Sequence, residues 1–288
     1  MAHIPAERCL DIIELLANGA RSMSLGDIAG RLGLPKSGAH RLLATLVELG
    51  WAEQDPTTAF YRLSMRLAIV GLGFFVATGL PGIGQPMVDR LAERSCEFAR
   101  LAVVDGSSLA WVAHAQGARG GLRYQPGRMM PTVPLHATAS GKAWLASMPM
   151  EQAVNRVLAA GFGESDQYGP NAIRSIEALV KELEVAARSG YAIAVNEGEP
   201  GVSAVAAAIR PAPEEPAVGT ISVAGPSVRM DAGRLEAIAR EVATTAAELA
   251  DLWPSPTKTR AVRIRPRDDR ATVSLQLAAM PAFNGIFR

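Results

Sequence analysis

Five polar residues between positions 36 and 45 have types and spacing that suit contact with nucleic acid. Lys36 and His40 stand four apart, Ser37 and Arg41 do likewise, and Thr45 lies four beyond Arg41. On a helix, residues at that separation are surface neighbours. Leu42, Leu43, Leu46 and Leu49 fall on the other side. Lys or Arg on such a face can read guanine, while Ser and Thr hydroxyls contact phosphates or base edges. Gly38, in the same turn, would let a backbone approach closely. The bland alternative is a solvated polar face, so the elements around it decide.

Those elements are suggestive. Segment 7–18 puts Leu10, Ile13 and Leu16 on one helical face, with Gly19 as a stop signal. Ser24 with Asp27 three residues on is a capped helix start, and Gly33 ends that short helix. Pro35 suits the first turn of a third helix, which Gly50 closes. Two short helices joined through a tight Gly-containing turn form a helix-turn-helix. Residues 51–63 then read as two strands around a turn at 55–58, the order of a winged helix. Thr57, Thr58 and Arg62 would be the phosphate partners on the wing.

Other chemistries find little support. There is no G-x-S-x-G elbow and no H-E-x-x-H. The histidines (3, 40, 114, 136) are scattered, and Cys9 and Cys96 lack metal-ligand spacing. Gly141-Lys142 has the ending of a P-loop, but position 136 is His where that loop needs Gly. No catalytic residue, metal or cofactor is expected.

The 288 residues, 49% hydrophobic and 20% charged, allow two globular domains. Two distant cysteines fit a reducing cytoplasm. Residues 67–88 carry no charge, yet glycines and prolines interrupt them. They read as a buried helix to about 78 and a Gly/Pro linker over 79–86, not a membrane span. Residues 1–63 hold six Lys/Arg against seven Asp/Glu, so bulk charge does not announce DNA binding. Residues 254–288 hold seven Lys/Arg against two Asp and are weakly patterned, which predicts a basic disordered tail.

Beyond the linker the pattern is mixed. Helices are predicted at 86–95, 140–148, 150–160, 172–189 and 231–252. A hairpin is predicted at 98–104 and 109–115, and strands at 191–195, 202–209 and 218–224. Hairpins argue for an α+β fold with a largely antiparallel sheet. The division is then 1–63 for the winged helix-turn-helix, 64–85 for the linker, 86–253 for a second domain and 254–288 for the tail. Ala139 and Ser140 open a helix, whose amino terminus favours an anion such as a carboxylate.

The chain resembles the IclR family of bacterial transcriptional regulators. The resemblance is carried by ERCLDIIELLA (7–17), SLGDIAGRLGLPKSGAHRLLATLVELGW (24–51), FYRLSMRLAIVG (60–71), LHATASGKAWLA (135–146), GYAIAVNEGEPGVSAVAAAIR (190–210) and ISVAGP (221–226). It spans about residues 5–253. It implies a GAF-like α+β effector-binding domain, and a homodimer or dimer of dimers on a pseudo-palindromic double-stranded operator. The effector pocket it implies is lined by Met129, Met130, Ala139, Ser140, Ala194, Glu197, Ala204, Ser222 and Ala224. Some relatives carry polar groups where this chain has Ala194, Ala204 and Ala224, so a carboxylate with an apolar or aromatic body is expected as effector. Gly38 departs from the family's usual Thr or similar side chain. The function so implied is ligand-responsive repression or activation of a neighbouring catabolic operon. The alternative is a small-molecule sensor without competent DNA binding.

Overall fold

The structure, a computed structural model, describes residues 4–19, 22–126 and 133–254. Met129, Met130 and the tail beyond 254 lie outside them.

The amino-terminal unit comprises α1 (Ile4–Gly19), α2 (Leu25–Arg31), α3 (Lys36–Glu48) and the antiparallel pair β1 (Ala52–Gln54) and β2 (Tyr61–Leu63). Ser24 caps α2 as its spacing to Asp27 predicts: its Oγ accepts from the Asp27 amide at 3.1 Å and donates to Oδ2 at 2.7 Å. Past the ends of α2 and α3, Gly33 and Gly50 take φ of +61° and +74°, a region that other residues enter at a cost. Ile12, Leu16, Ile28, Leu43, Leu46 and Tyr61 form the core. This corrects two sequence expectations. The buried stripe of α1 runs through Ile12 and Leu16, leaving Leu10 60% exposed, and Leu49 also stays exposed as α3 ends.

α4 (Arg66–Ala77) follows, and none of its residues is buried. The predicted buried helix is thus an apolar helix lying open in the single chain, with Ile69, Leu72 and Phe74 exposed. The predicted Gly/Pro linker is also absent as such. After a single break at Gly79 (φ +75°), α5 (Leu80–Ser95) runs through Pro81, Gly82, Gly84 and Pro86. Pro81 suits a first turn. Gly84 answers to packing, since a Cβ there would sit 2.6 Å from Leu101 Cδ2. Close contact with the sheet outweighs the weak helix propensity of the stretch. Among the described residues no single helix is long and apolar enough to cross a membrane.

The second unit is a five-stranded sheet in the order β4-β3-β7-β6-β5, antiparallel throughout. Its strands are β3 (Phe98–Asp105), β4 (Ser108–Gln116), β5 (Ala192–Val195), β6 (Val202–Ile209) and β7 (Gly219–Pro226). This is the α+β architecture that the hairpins predicted. On one face, Leu101, Val205, Ile221 and Val223 pack beneath α5 and α9 (Ala232–Leu252). Fully burying a side chain such as Leu101 contributes about 1.5–3 kcal/mol. The other face meets α6 (Ala139–Leu145), with α7 (Met150–Ala160) and α8 (Ile176–Ser189) beside it. Strand register sets two rows on that face. One is Phe98, Ala224, Ala204 and Ala194; the other is Arg100, Ser222, Ala206 and Ala192.

Candidate nucleic-acid interface and ligand cavity

α3 buries Ala39, Leu43 and Leu46 against the core, which turns Lys36, Ser37, His40, Arg41 and Thr45 to the surface. The Thr45 hydroxyl donates to the Arg41 carbonyl at 3.1 Å, a bond within the helix. A Cβ at Gly38 would meet nothing nearer than Pro35 Cδ at 3.9 Å, so internal packing does not demand a glycine there. On the wing, Thr57 and Thr58 are exposed, and their amides donate to Asp55 Oδ1 at 2.9 and 2.8 Å. These bonds, that from Thr58 foremost, hold the Asp55 carboxyl below its usual range. Arg62 is also exposed, but Nε and Nη2 donate to Glu53 Oε2 at 3.0 and 2.8 Å. Its charge is therefore offset locally, whereas Lys36 and Arg41 have no ion-pair partner among the described residues. Behind the interface, Arg66 of α4 donates to the Leu49 carbonyl at 2.9 Å and lies 5.1 Å over the Trp51 ring, fastening α4 to the end of α3.

A cavity of about 570 Å³ opens on the α6 face of the sheet. Its floor is the alanine row Ala194, Ala204 and Ala224 with Ser222, and one wall is the start of α6, with Ala139 and Ser140. Six of the residues implied as effector-binding thus converge. Glu197 does not line the cavity. Its Oε1 accepts from Lys142 Nζ at 2.8 Å and from the Val195 amide at 3.3 Å, while its Oε2 is buried with no partner. Burial pushes the Glu197 carboxyl up, and the Lys142 charge opposes that shift. Glu197 therefore braces α6 from below, because the turn after β5 carries it under Lys142, which is only 1% exposed. Gly141 is required by the same close fit, since a Cβ there would come within 2.4 Å of the Leu135 carbonyl oxygen.

Apart from Ser140 and Ser222, sequence reasoning missed the polar groups of the cavity. Thr138, unnoticed before α6, caps it by accepting from the Gly141 amide at 3.0 Å and donating to the Pro134 carbonyl at 2.7 Å. Arg100 lies with its guanidinium carbon 4.0 Å from the centre of the Trp111 ring, and 5.5 and 5.9 Å from Phe98 and Tyr124. Such stacking contributes about 0.5–2 kcal/mol according to desolvation. Tyr124 donates its hydroxyl to Glu199 Oε1 at 2.7 Å, and burial drives its phenol well above the usual range, so it stays protonated. Gln167 and Tyr168 complete the wall, and Tyr168 rests edge-on against His136 with centroids 4.9 Å apart. One signal was available: Arg100 interrupts an apolar strand, on the face that Phe98 and Ala102 share.

The chain joins a helix-turn-helix surface to a domain with a ligand-sized cavity, and known proteins share these two domains. The family model described as bacterial transcriptional regulator IclR C-terminal matches residues 77–251, and the IclR helix-turn-helix domain matches residues 5–56. The HTH-type transcriptional regulator BhcR of Paracoccus denitrificans is 32% identical over 247 residues, 85% of each chain. Among solved structures, an IclR transcriptional regulator from Silicibacter sp. TM1040 superposes with a TM-score of 0.75 at 23% identity, covering 87% of this chain and 96% of its own. An IclR homologue from Microbacterium hydrocarbonoxydans, complexed with 4-hydroxybenzoate, gives 0.69 at 25% identity, covering 86% and 99%. The chain belongs to the IclR family of bacterial transcriptional regulators, and it is a helix-turn-helix regulator rather than an enzyme.

Proposed function

We propose that this regulator acts in the cytoplasm as a symmetric assembly whose two recognition helices enter successive major grooves of a pseudo-palindromic operator. Lys36, Ser37, Gly38, His40 and Arg41 meet base edges or phosphate at the amino-terminal end of α3, with Thr45 further along and Thr57, Thr58 and Arg62 on the wing. The partner of α4 is a second copy of the chain, which would cover Ile69, Leu72 and Phe74. A small organic acid with a flat apolar body occupies the cavity and shifts the balance between DNA-binding and released states. The observation that carries this reading is the pairing of an exposed cationic face on α3 with a cavity of about 570 Å³ in the same chain. The 4-hydroxybenzoate in the M. hydrocarbonoxydans homologue supports the choice of ligand class.

The route between the sites would run through β3. Its Arg100 faces the cavity, and the next residue, Leu101, faces α5 at Gly84. From α5 the chain continues into α4, which Arg66 fastens to α3. A ligand changes DNA affinity only by binding two states differently, and a coupling of ~1–3 kcal/mol is typical.

A footprint of the full chain on DNA upstream of its own and adjacent genes, with and without aromatic and aliphatic acids, tests the proposal. It should protect a palindrome whose occupancy one acid changes. A folded protein that protects no sequence there would favour the sensor without DNA binding.

A further inference from the structure

We propose that Arg100 is the anion anchor of the cavity, so that the acid group of the ligand lies against its guanidinium. The inference rests on the reading of the cavity as the effector site, and it names the residue that selects the ligand class.

Two cations lie near this face of the sheet, Lys142 buried and Arg100 half-buried at the cavity, and they differ in what satisfies them. Lys142 is met by Glu197 at 2.8 Å and Glu182 at 3.1 Å. Arg100 makes no ion pair among the described residues, and its Nε is buried with no hydrogen-bond partner. Burial opposes its charge, yet guanidinium remains cationic in proteins. Tyr124 and the Glu199 charge offset part of that cost, and an entering anion supplies the direct ion pair that Arg100 lacks.

The aromatic groups around Arg100 prepare it for that anion. Trp111 meets the guanidinium at 4.0 Å from its ring centre, which fixes the group in place. A π face offers no lone pair to the N–H groups, so Nε, which has no partner, remains for a planar carboxylate. Ser222, beside Arg100 in its row, donates its hydroxyl to the Arg100 carbonyl, which steadies the strand.

The rest of the cavity defines the ligand body. The row of Ala224, Ala204 and Ala194 lies two residues along the strands from the Arg100 row, about 7 Å at ~3.4 Å per residue. A flat apolar ring can lie on those methyl groups with its carboxylate at Arg100. Glu199, at the exposed rim, engages the Tyr124 hydroxyl. Its negative charge disfavours a second carboxylate at the mouth and accommodates a hydroxyl. The ligand class is therefore an aryl monocarboxylate. Thr138 satisfies the Gly141 amide but not those of Ala139 and Ser140 at the cavity wall, so the start of α6 is the site from which the Arg100 variants must distinguish the anchor.

Calorimetric titration of the full chain with benzoate, 4-hydroxybenzoate and phenylacetate, each beside its uncharged carboxamide, tests the assignment. The wild type should bind at least one acid tenfold or more tightly than its amide. Arg100→Met should erase that preference by weakening the acid and sparing the amide, and Arg100→Lys, which keeps charge without the fork, should fall between. Thermal melting checks that each variant is folded, and Arg100→Lys alone decides the matter should Arg100→Met not fold. Ala204→Trp, which fills the cavity, should abolish binding of acid and amide together. Acid binding that survives in both Arg100 variants but not in Ala204→Trp would overturn the anchor and leave the cavity reading standing. Binding indifferent to Ala204→Trp would overturn the cavity reading. A wild type that binds none of the three acids would overturn the ligand class.

Discussion

Lys142 Nζ donates to Glu197 Oε1 across 2.8 Å, with the side chains 1% and 10% exposed. The pair ties the helix beside the cavity to the turn after β5, so it shapes the cavity without entering it. Breaking a buried pair from one side leaves an uncompensated charge, at a cost of about 3–5 kcal/mol. Lys142→Met and Glu197→Leu should each lower the melting temperature markedly, whereas the double variant should regain most of the loss. Equal losses that simply add in denaturant titrations would show that the two residues do not act as a unit.

Arg41 has no internal ion-pair partner among the described residues, while Arg62 is held by Glu53. Arg41→Ala should reduce affinity for the footprinted fragment by tenfold or more, on the scale of ~1–3 kcal/mol for a base contact. Arg62→Ala should cost less. Melting temperature and acid binding should stay unchanged in both. Because a Cβ at Gly38 meets only ordinary contact, Gly38→Thr should fold normally and change which sequences are preferred, as a selection from randomised half-sites would read.

The open face of α4 carries Phe74 at 74% and Leu72 at 64% exposure. Contiguous apolar surface of this kind marks an interface. Phe74→Glu should shift the protein to monomer in sedimentation velocity and weaken operator binding with it. A wild-type protein that sediments as a monomer at micromolar concentration would remove the second copy as the partner of α4.

His136 is packed edge-on against Phe162 and Tyr168, and its Nε2 is buried without a partner. Burial first, and then Arg174, push its imidazolium below the ordinary value of 6.5. Below about pH 6.5 the unfolded chain therefore binds the proton more readily than the folded one. Stability should rise with pH up to that value and be lost as pH falls through the folded value. His136→Phe should flatten the dependence of melting temperature on pH just below 6.5; an unchanged slope would place the proton elsewhere.

Much of the frame was legible because local rules and packing agree. Ser24 with Asp27 announced a capped helix, the leucine spacing of α3 set which face would be solvated, and the runs at 98–104 and 109–115 announced a hairpin. Where they conflict, the sequence misled. The glycines and prolines after Gly79 suggest a linker, yet Gly84 is glycine because Leu101 presses on the helix there. The apolar run of α4 suggests burial, which one chain does not supply. Glu197 follows the pocket segment in sequence, but the turn carries its carboxylate to Lys142. Tyr124 and Glu199 sit in irregular segments 75 residues apart, which no helical or strand period can place together.

Control of DNA binding by a small acid is the central claim, and reciprocity tests it most directly. The acid that binds most tightly in the calorimetric panel should be titrated into the protein alone and into its complex with the footprinted operator. The same acid should then be held at saturation while operator affinity is measured by fluorescence anisotropy. Linkage requires both factors to be equal, and the account predicts a common factor of roughly 5–150, the range that ~1–3 kcal/mol spans. A factor of one in both directions, from a protein that binds acid and operator alike, would contradict it.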